Sequence, residues 1–339
     1  MEYSKRDQAT FTQSKEKGKT TQENDITDVF AELELTMYTA LETYSNVHRG
    51  SGHYSMVTTH LFELARDIVL EYLGLNKGQY VVIFCSPLRA EALVKQFEPG
   101  SYQVVSSREI GLQLGTRALA VKRKALPRGA PFQAGGGTAR LMSREWVVWA
   151  GAPDRFEAGT PAIINIIALA RALQMIKRSG NDLFLHKAGE PSGMDLCPDP
   201  AAVKKAVTRI LYHDDLEKYT GREPLDELRR TLIGRDVLVP TMEGRRSFIN
   251  LDNSASTPTF TPVWNTFQLA WRQPAEVQQE IIHNVKSICA EVLGAPQSAY
   301  EVIFTSNTTE AINLAAGSLG RESGEDTAPV VLNTLPEHS

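Results

Sequence analysis

Ser306, Asn307, Thr308 and Thr309 put three hydroxyls and an amide between the apolar run Val302-Ile303-Phe304 and a helical pattern that starts at residue 308. A strand ending in such a turn offers an anion the free N–H groups of a helix start together with side-chain donors. Glu310 suits the positive end of the same helix. The same residue types also cap helices with no ligand present, so the turn alone leaves both readings open. Gly135-Gly136-Gly137-Thr138 is a second backbone-donor loop able to approach a phosphate closely, and equally able to be a plain hairpin. Neither stretch has the Gly-Lys-Ser/Thr of a P-loop or the spacing of a dinucleotide fingerprint.

Other chemistry-bearing residues are scattered. Cys85, Cys197 and Cys289 show no C-x-x-C spacing, which fits a reducing compartment and argues against a zinc knuckle. His48, His53 and His60 lie close in sequence, but no carboxylate or thiol completes a ligand set, so no metal is expected. A net charge of -4 over 339 residues gives no reason to expect nucleic acid as a partner. No apolar run reaches the length of a membrane span, so no membrane partner is expected and a cytoplasmic location is.

The elements that must position these residues read as α/β. Residues 1–26 are polar and expected to be disordered. Phe30, Leu33, Met37 and Leu41 recur at helical spacing over 26–44, and a second helix is expected over 57–73, ending at Gly74. Tyr80–Cys85 is a continuous apolar run, as in a strand buried on both faces of a parallel sheet. Strands are expected at 102–106, 117–122 and 146–150, and a helix from Pro161 to Ile176. Residues 180–201 read as a linker, followed by helices at 201–219 and 223–232. A new unit begins near Phe248, with a helix at 275–293, a strand at 301–305, a helix at 308–319 and a strand at 329–333.

One register links the two units. Leu73-Gly74, Tyr80, Val82-Ile83-Phe84 and Ser86 recur as Leu293-Gly294, Tyr300, Val302-Ile303-Phe304 and Ser306. In the first copy, Pro87, Leu88 and Arg89 replace the polar residues of the second. The boundaries expected are a tail 1–26, a first module 27–180, a connector of linker and helices 181–245, and the opening of a second module 246–339.

Taken together, these motifs resemble the class V aminotransferase-like enzymes of pyridoxal-phosphate fold type I, in the cysteine desulfurase and selenocysteine lyase branch. The resemblance rests on NLDNSAST (250–257), VIFTSNTTEAINL (302–314), Glu337-His338, NVHRG (46–50), GGGT (135–138) and RFEAGTP (155–161). It implies a mostly parallel sheet flanked by helices, here as two incomplete modules, and pyridoxal 5'-phosphate as cofactor. It implies that Thr308 and Thr309 hold the phosphate, that His338 stacks on the ring, and that Gly136, Gly137 and Thr138 close the site from a neighbouring subunit or module. His48, Arg49, His53 and Ala255 are implied to line the substrate pocket. The activity implied is removal of sulfur or selenium from cysteine or selenocysteine, leaving alanine.

The family's Schiff-base lysine is missing: Glu109 stands in its place, and a carboxylate cannot form an imine. The second module stops at Ser339, one residue past His338, and none of the three cysteines matches the family's nucleophile. The expectation is therefore a tandem protein with a degenerate first copy and a truncated second, with no catalytic residue and inactive alone. The partners expected are a second copy, a separate desulfurase and a sulfur-acceptor protein. The rival readings are a non-catalytic scaffold or regulatory partner of a desulfurase, and another class V aminotransferase.

Overall fold

The computed structural model describes residues 21–47, 52–143, 145–185, 199–212, 218, 220–251, 253 and 256–322. Helix α1 (Thr21–Glu42) is followed by α2 (His53–Tyr72), β1 (Tyr80–Cys85) and α3 (Pro87–Val94). Then come β2 (Tyr102–Ser106), β3 (Arg117–Lys122), the hairpin β4 (Ala139–Met142) and β5 (Val147–Trp149), and α4 (Ile163–Ser179). The α/β class holds, with helices on both faces of the main sheet.

That sheet has the order β1-β3-β2, and β3 runs antiparallel to both neighbours, with Tyr80 opposite Lys122 and Tyr102 opposite Val121. The parallel pairing expected from the apolar run of β1 is not what these strands adopt. Residues 107–116 join β2 to β3, fewer than the dozen or so that a parallel crossover takes. The apolar run has another cause. Val82 and Phe84 face a core built from α1, α2 and α4, while Ile83 faces Ala90, Leu93, Phe97 and Phe156. Both faces are covered, so neither can be polar. On α1, the residues picked out by spacing, Phe30, Leu33, Met37 and Leu41, are all buried in the first of these cores.

Beyond the first sheet lie α5 (Pro200–Leu211), α6 (Glu223–Arg230), the hairpin β6 (Leu238–Thr241) and β7 (Gly244–Ser247), α7 (Thr261–Trp271), α8 (Ala275–Val292) and α9 (Thr308–Glu322). The β6–β7 hairpin and α7 carry no strong sequence signal. Helix α5 ends at Leu211, short of the 219 expected, with the Tyr212 N–H on the Thr208 carbonyl. Residues 1–20 and the expected strand at 329–333 lie outside the described residues.

Helix α7 packs on α1. Trp264 is buried in the main core, and Trp271 meets Phe30 edge-on at 5.5 Å. The buried Glu34 carboxylate accepts hydrogen bonds from Trp271 Nε1 and Gln268 Nε2, both at 2.8 Å, and from Arg272. Burial alone would raise the Glu34 pKa, but the bonds from Arg272 and Trp271, the Arg272 charge and the Gln268 bond outweigh it and hold it below its ordinary value.

The turn after α2 recurs after α8. Gly74 and Gly294 have φ of 66° and 62°. The Leu75 N–H meets the Leu70 carbonyl at 2.9 Å, as the Ala295 N–H meets that of Ala290. Tyr80 and Tyr300 donate to Asn76 and Pro296, each at 3.0 Å. The echo then stops. Residues 301–305, expected as a strand, have no ladder partner among the described residues, and Ile303 and Phe304 are exposed.

Candidate functional site

Three segments distant in sequence meet: the glycine loop 134–138, the loop 157–161 that precedes α4, and the turn 306–309 that opens α9. Each is shaped by its own short-range bonds. Thr138 is fully buried, and its hydroxyl donates to the Gly135 carbonyl at 2.7 Å while accepting from the Gly135 N–H. The Gly159 N–H donates to the Gly136 carbonyl at 2.8 Å, tying the second loop to the first.

Asn307 caps α9 and docks it at once. Its Oδ1 accepts from the Glu310 N–H at 2.9 Å, and its Nδ2 donates to the Thr160 carbonyl at 3.0 Å. Asn313, one turn along α9, donates to the Ala134 carbonyl at 3.1 Å. Gly135 and Gly159 exist for closeness. A β-carbon on Gly135 would lie 2.4 Å from Thr309 Cγ2, and one on Gly159 would lie 2.6 Å from Asn307 Oδ1.

Glu310 holds the other side. Its carboxylate accepts from the Ser86 hydroxyl at 2.5 Å, from the Ser306 N–H at 2.8 Å and from the Ser306 hydroxyl. Ser86 is itself the N-cap of α3, accepting from the Arg89 N–H at 3.2 Å. One buried carboxylate thus serves the positive ends of two helices, α3 and α9. Burial pushes its pKa up, and the bonds from Ser306 and Ser86, with the nearby Arg89 charge, outweigh that and keep it low.

The sequence-selected residues are distributed as follows. Thr309 lies against the glycine loop, with Thr308 exposed beside it; Gly136 is half-buried and Gly137 exposed. Both threonines are first-turn residues of α9, so their N–H groups have no carbonyl within the helix to meet. His53 sits at the start of α2, its ring 6.1 Å from that of Tyr54, and lines neither cavity near the turn. His48, Arg49, Ala255 and His338 lie outside the described residues. Sequence reasoning places Ser86 and Glu157 only within their motifs and misses their bonds to Glu310 and Arg66 and the docking role of Asn307, because contacts between distant segments leave no local signal.

Donors at Thr308 and Thr309 suit a phosphate group, but the aldehyde end of pyridoxal phosphate has no amine to meet. Glu109 is exposed, and no lysine lines the cavities that share Ser306 and Asn307. The described residues therefore do not form a complete site for this cofactor, and no reaction step is assigned through it.

The aminotransferase class-V family model matches residues 110–189 and 249–339, half of the chain. A probable cysteine desulfurase of Staphylococcus aureus (strain Mu50) is 38% identical over 73 residues, which cover 22% of this chain and 17% of that protein. Its Staphylococcus epidermidis counterpart is 38% identical over 74 residues, 22% of this chain and 18% of that one. The matched stretch thus spans under a fifth of these relatives' length. Among solved structures, the cysteine desulfurase CsdA (S-sulfonic acid) of Escherichia coli aligns with a TM-score of 0.33 at 13% identity, over 55% of this chain and 71% of that one. The apo cysteine desulfurase of Thermococcus onnurineus NA1 gives 0.31 at 14%, over 77% of this chain and 92% of that one. With two motif-bearing segments matched over half its length, the chain belongs to the class-V aminotransferase family.

Proposed function

We propose that this chain carries the phosphate end of a cysteine desulfurase-type pyridoxal-phosphate site of fold type I, with its first unit in the place a second subunit would take. The observation that supports this most is the meeting of Gly135 with Thr309, and of the Asn307 amide with the Ala158 and Thr160 carbonyls, within one polypeptide. The relatives named above are called probable cysteine desulfurases, which favours that chemistry over other class-V reactions. Desulfuration or selenocysteine cleavage belongs, in this reading, to a protein that also supplies the lysine. The described residues, with Glu109 where a lysine is needed, do not perform it.

Two measurements test this. The chain is expected to bind pyridoxal 5'-phosphate weakly and pyridoxal not at all, with binding lost in Thr309→Val. Equal binding of the two compounds would end the phosphate-end reading. No visible absorbance band reducible by borohydride is expected, and no alanine from cysteine; either one would show that an unrecognised lysine completes the site.

A non-catalytic partner of a separate desulfurase is the second reading. It is favoured by the exposed Ile303 and Phe304 on a segment with no ladder partner among the described residues. Co-purification with an active desulfurase tests it, and a chain that remains alone counts against it.

A further inference from the structure

The sheet β1-β3-β2 has two outer edges, and the fold closes only one of them. At β1, the Gln79 carbonyl accepts from the Arg123 N–H just past the end of β3, so alternation turns Tyr80, Val82 and Phe84 outward. Each of these finds a partner. The Tyr80 N–H donates to the Asn76 carbonyl at 3.0 Å. The Val82 carbonyl accepts from Arg66 Nη1 at 2.5 Å, and the Phe84 N–H donates to Glu157 at 2.6 Å. Arg66 and Glu157 are buried and paired with each other at 2.8 Å, so an ion pair stands where a further strand would bond.

Strand β2 has no such closure. The Ser101 carbonyl accepts from Lys122 and the Ser107 N–H donates to Thr116, both toward β3, so Tyr102 and Val104 turn outward. Their N–H and carbonyl groups meet no partner among the described residues. Val104 is 37% exposed, and Gln103 beside it is exposed too. The strand YQVVS carries no charge, no proline and no break in register, the devices that keep an edge from pairing.

We propose that the β2 edge pairs antiparallel with the β2 edge of a second copy, about a twofold axis at Gln103. In that register Tyr102 lies opposite Val104 of the other copy, and Val104 opposite Tyr102. Every open N–H and carbonyl of the two residues then finds a partner, and the two three-stranded sheets run on as one. Gln103 meets its own copy with its backbone turned away toward β3. Charge selects a second copy over an unrelated strand. Carried past the strand ends, the same register sets Glu98 opposite Arg108 of the other copy, once on each side of the axis. Both are exposed, and neither has an ion-pair partner among the described residues. The closed edge of β1 leaves no place for a third copy, so the assembly stops at two.

Sedimentation equilibrium of the whole chain from about 1 to about 200 µM tests this, and a monomer–dimer equilibrium on the order of 10 µM is expected from so small an interface. Gln103→Lys sets two like charges against each other at the axis while changing only an exposed side chain, and should weaken the dimer at least about tenfold. Val104→Pro removes an outward N–H that the monomer does not use, and should fold and lose the dimer as well. Glu98→Lys should weaken it about threefold, and Glu98→Lys combined with Arg108→Glu should restore it. A chain that stays monomeric over this range overturns the proposal. So does a dimer as strong in Gln103→Lys as in the wild type, which would place the contact on another surface. Failure of the double variant to restore the dimer overturns the register about Gln103.

Discussion

Gly159 carries a burden that its sequence context does not announce. Its φ is +82°, which favours glycine, and the Asn307 amide sits where a β-carbon would be. Gly100 has nearly the same backbone, φ +79°, with nothing within 4 Å. Alanine at Gly100 should therefore cost only the left-handed strain, about 1–2 kcal/mol. Alanine at Gly159 should cost that plus the displacement of Asn307 from the Thr160 carbonyl, another ~1–2 kcal/mol. Urea unfolding of both variants isolates the docking contribution as their difference. Equal losses would mean that Asn307 moves aside freely and that α9 is not held there.

At the scale of elements, the two echoing segments separate what a local pattern does from what a partner does. Val82-Ile83-Phe84 and Val302-Ile303-Phe304 are the same residues in the same order. The first run lies between two cores and pairs with β3; in the second, Ile303 is 65% and Phe304 54% exposed. Phe84→Ala is expected to destabilise by about 3–5 kcal/mol. Phe304→Ala should change stability by less than ~0.5 kcal/mol. A large loss at Phe304 in chemical denaturation would show that residues 301–305 are covered in solution.

At the scale of the molecule, two buried carboxylates join elements far apart in sequence, Glu34 linking α1 to α7 and Glu310 linking α3 to α9. Both have pKa values held below the ordinary 4.5. A group depressed in the folded state stabilises it fully above its unfolded pKa, and that contribution fades as pH falls through the folded value. Packing of α7 on α1 and of α9 on α3 should therefore weaken as pH drops below about 4.5, and not on the alkaline side. Trp271 donates to the Glu34 carboxylate, so tryptophan fluorescence should shift in that acid window. Glu34→Gln should remove part of the pH dependence. Fluorescence that stays constant through the window would mean that the Glu34 carboxylate does not hold α7 on α1.

Much of this protein is legible in its residue pattern. The spacing of Phe30, Leu33, Met37 and Leu41 marks the buried face of α1, because a helix brings such residues onto one stripe. The motifs around 135–138, 155–161 and 302–314 indicate a class-V aminotransferase, and Gly74 and Gly294 mark two turns that close alike. Strand direction is not legible, since a run covered on both faces reads the same whichever way its neighbours point. Nor is the fate of the second apolar run, since a strand exists only once another chain segment supplies its ladder. The Arg89 bond to the Ala158 carbonyl, the bond from Ser86 to the Glu310 carboxylate, and the contact of Gly135 with Thr309 join residues more than 60 positions apart. Sequence determined the local turns, caps and apolar faces because those depend on neighbours along the chain. Tertiary structure alone decided which distant groups found partners and which remained without one.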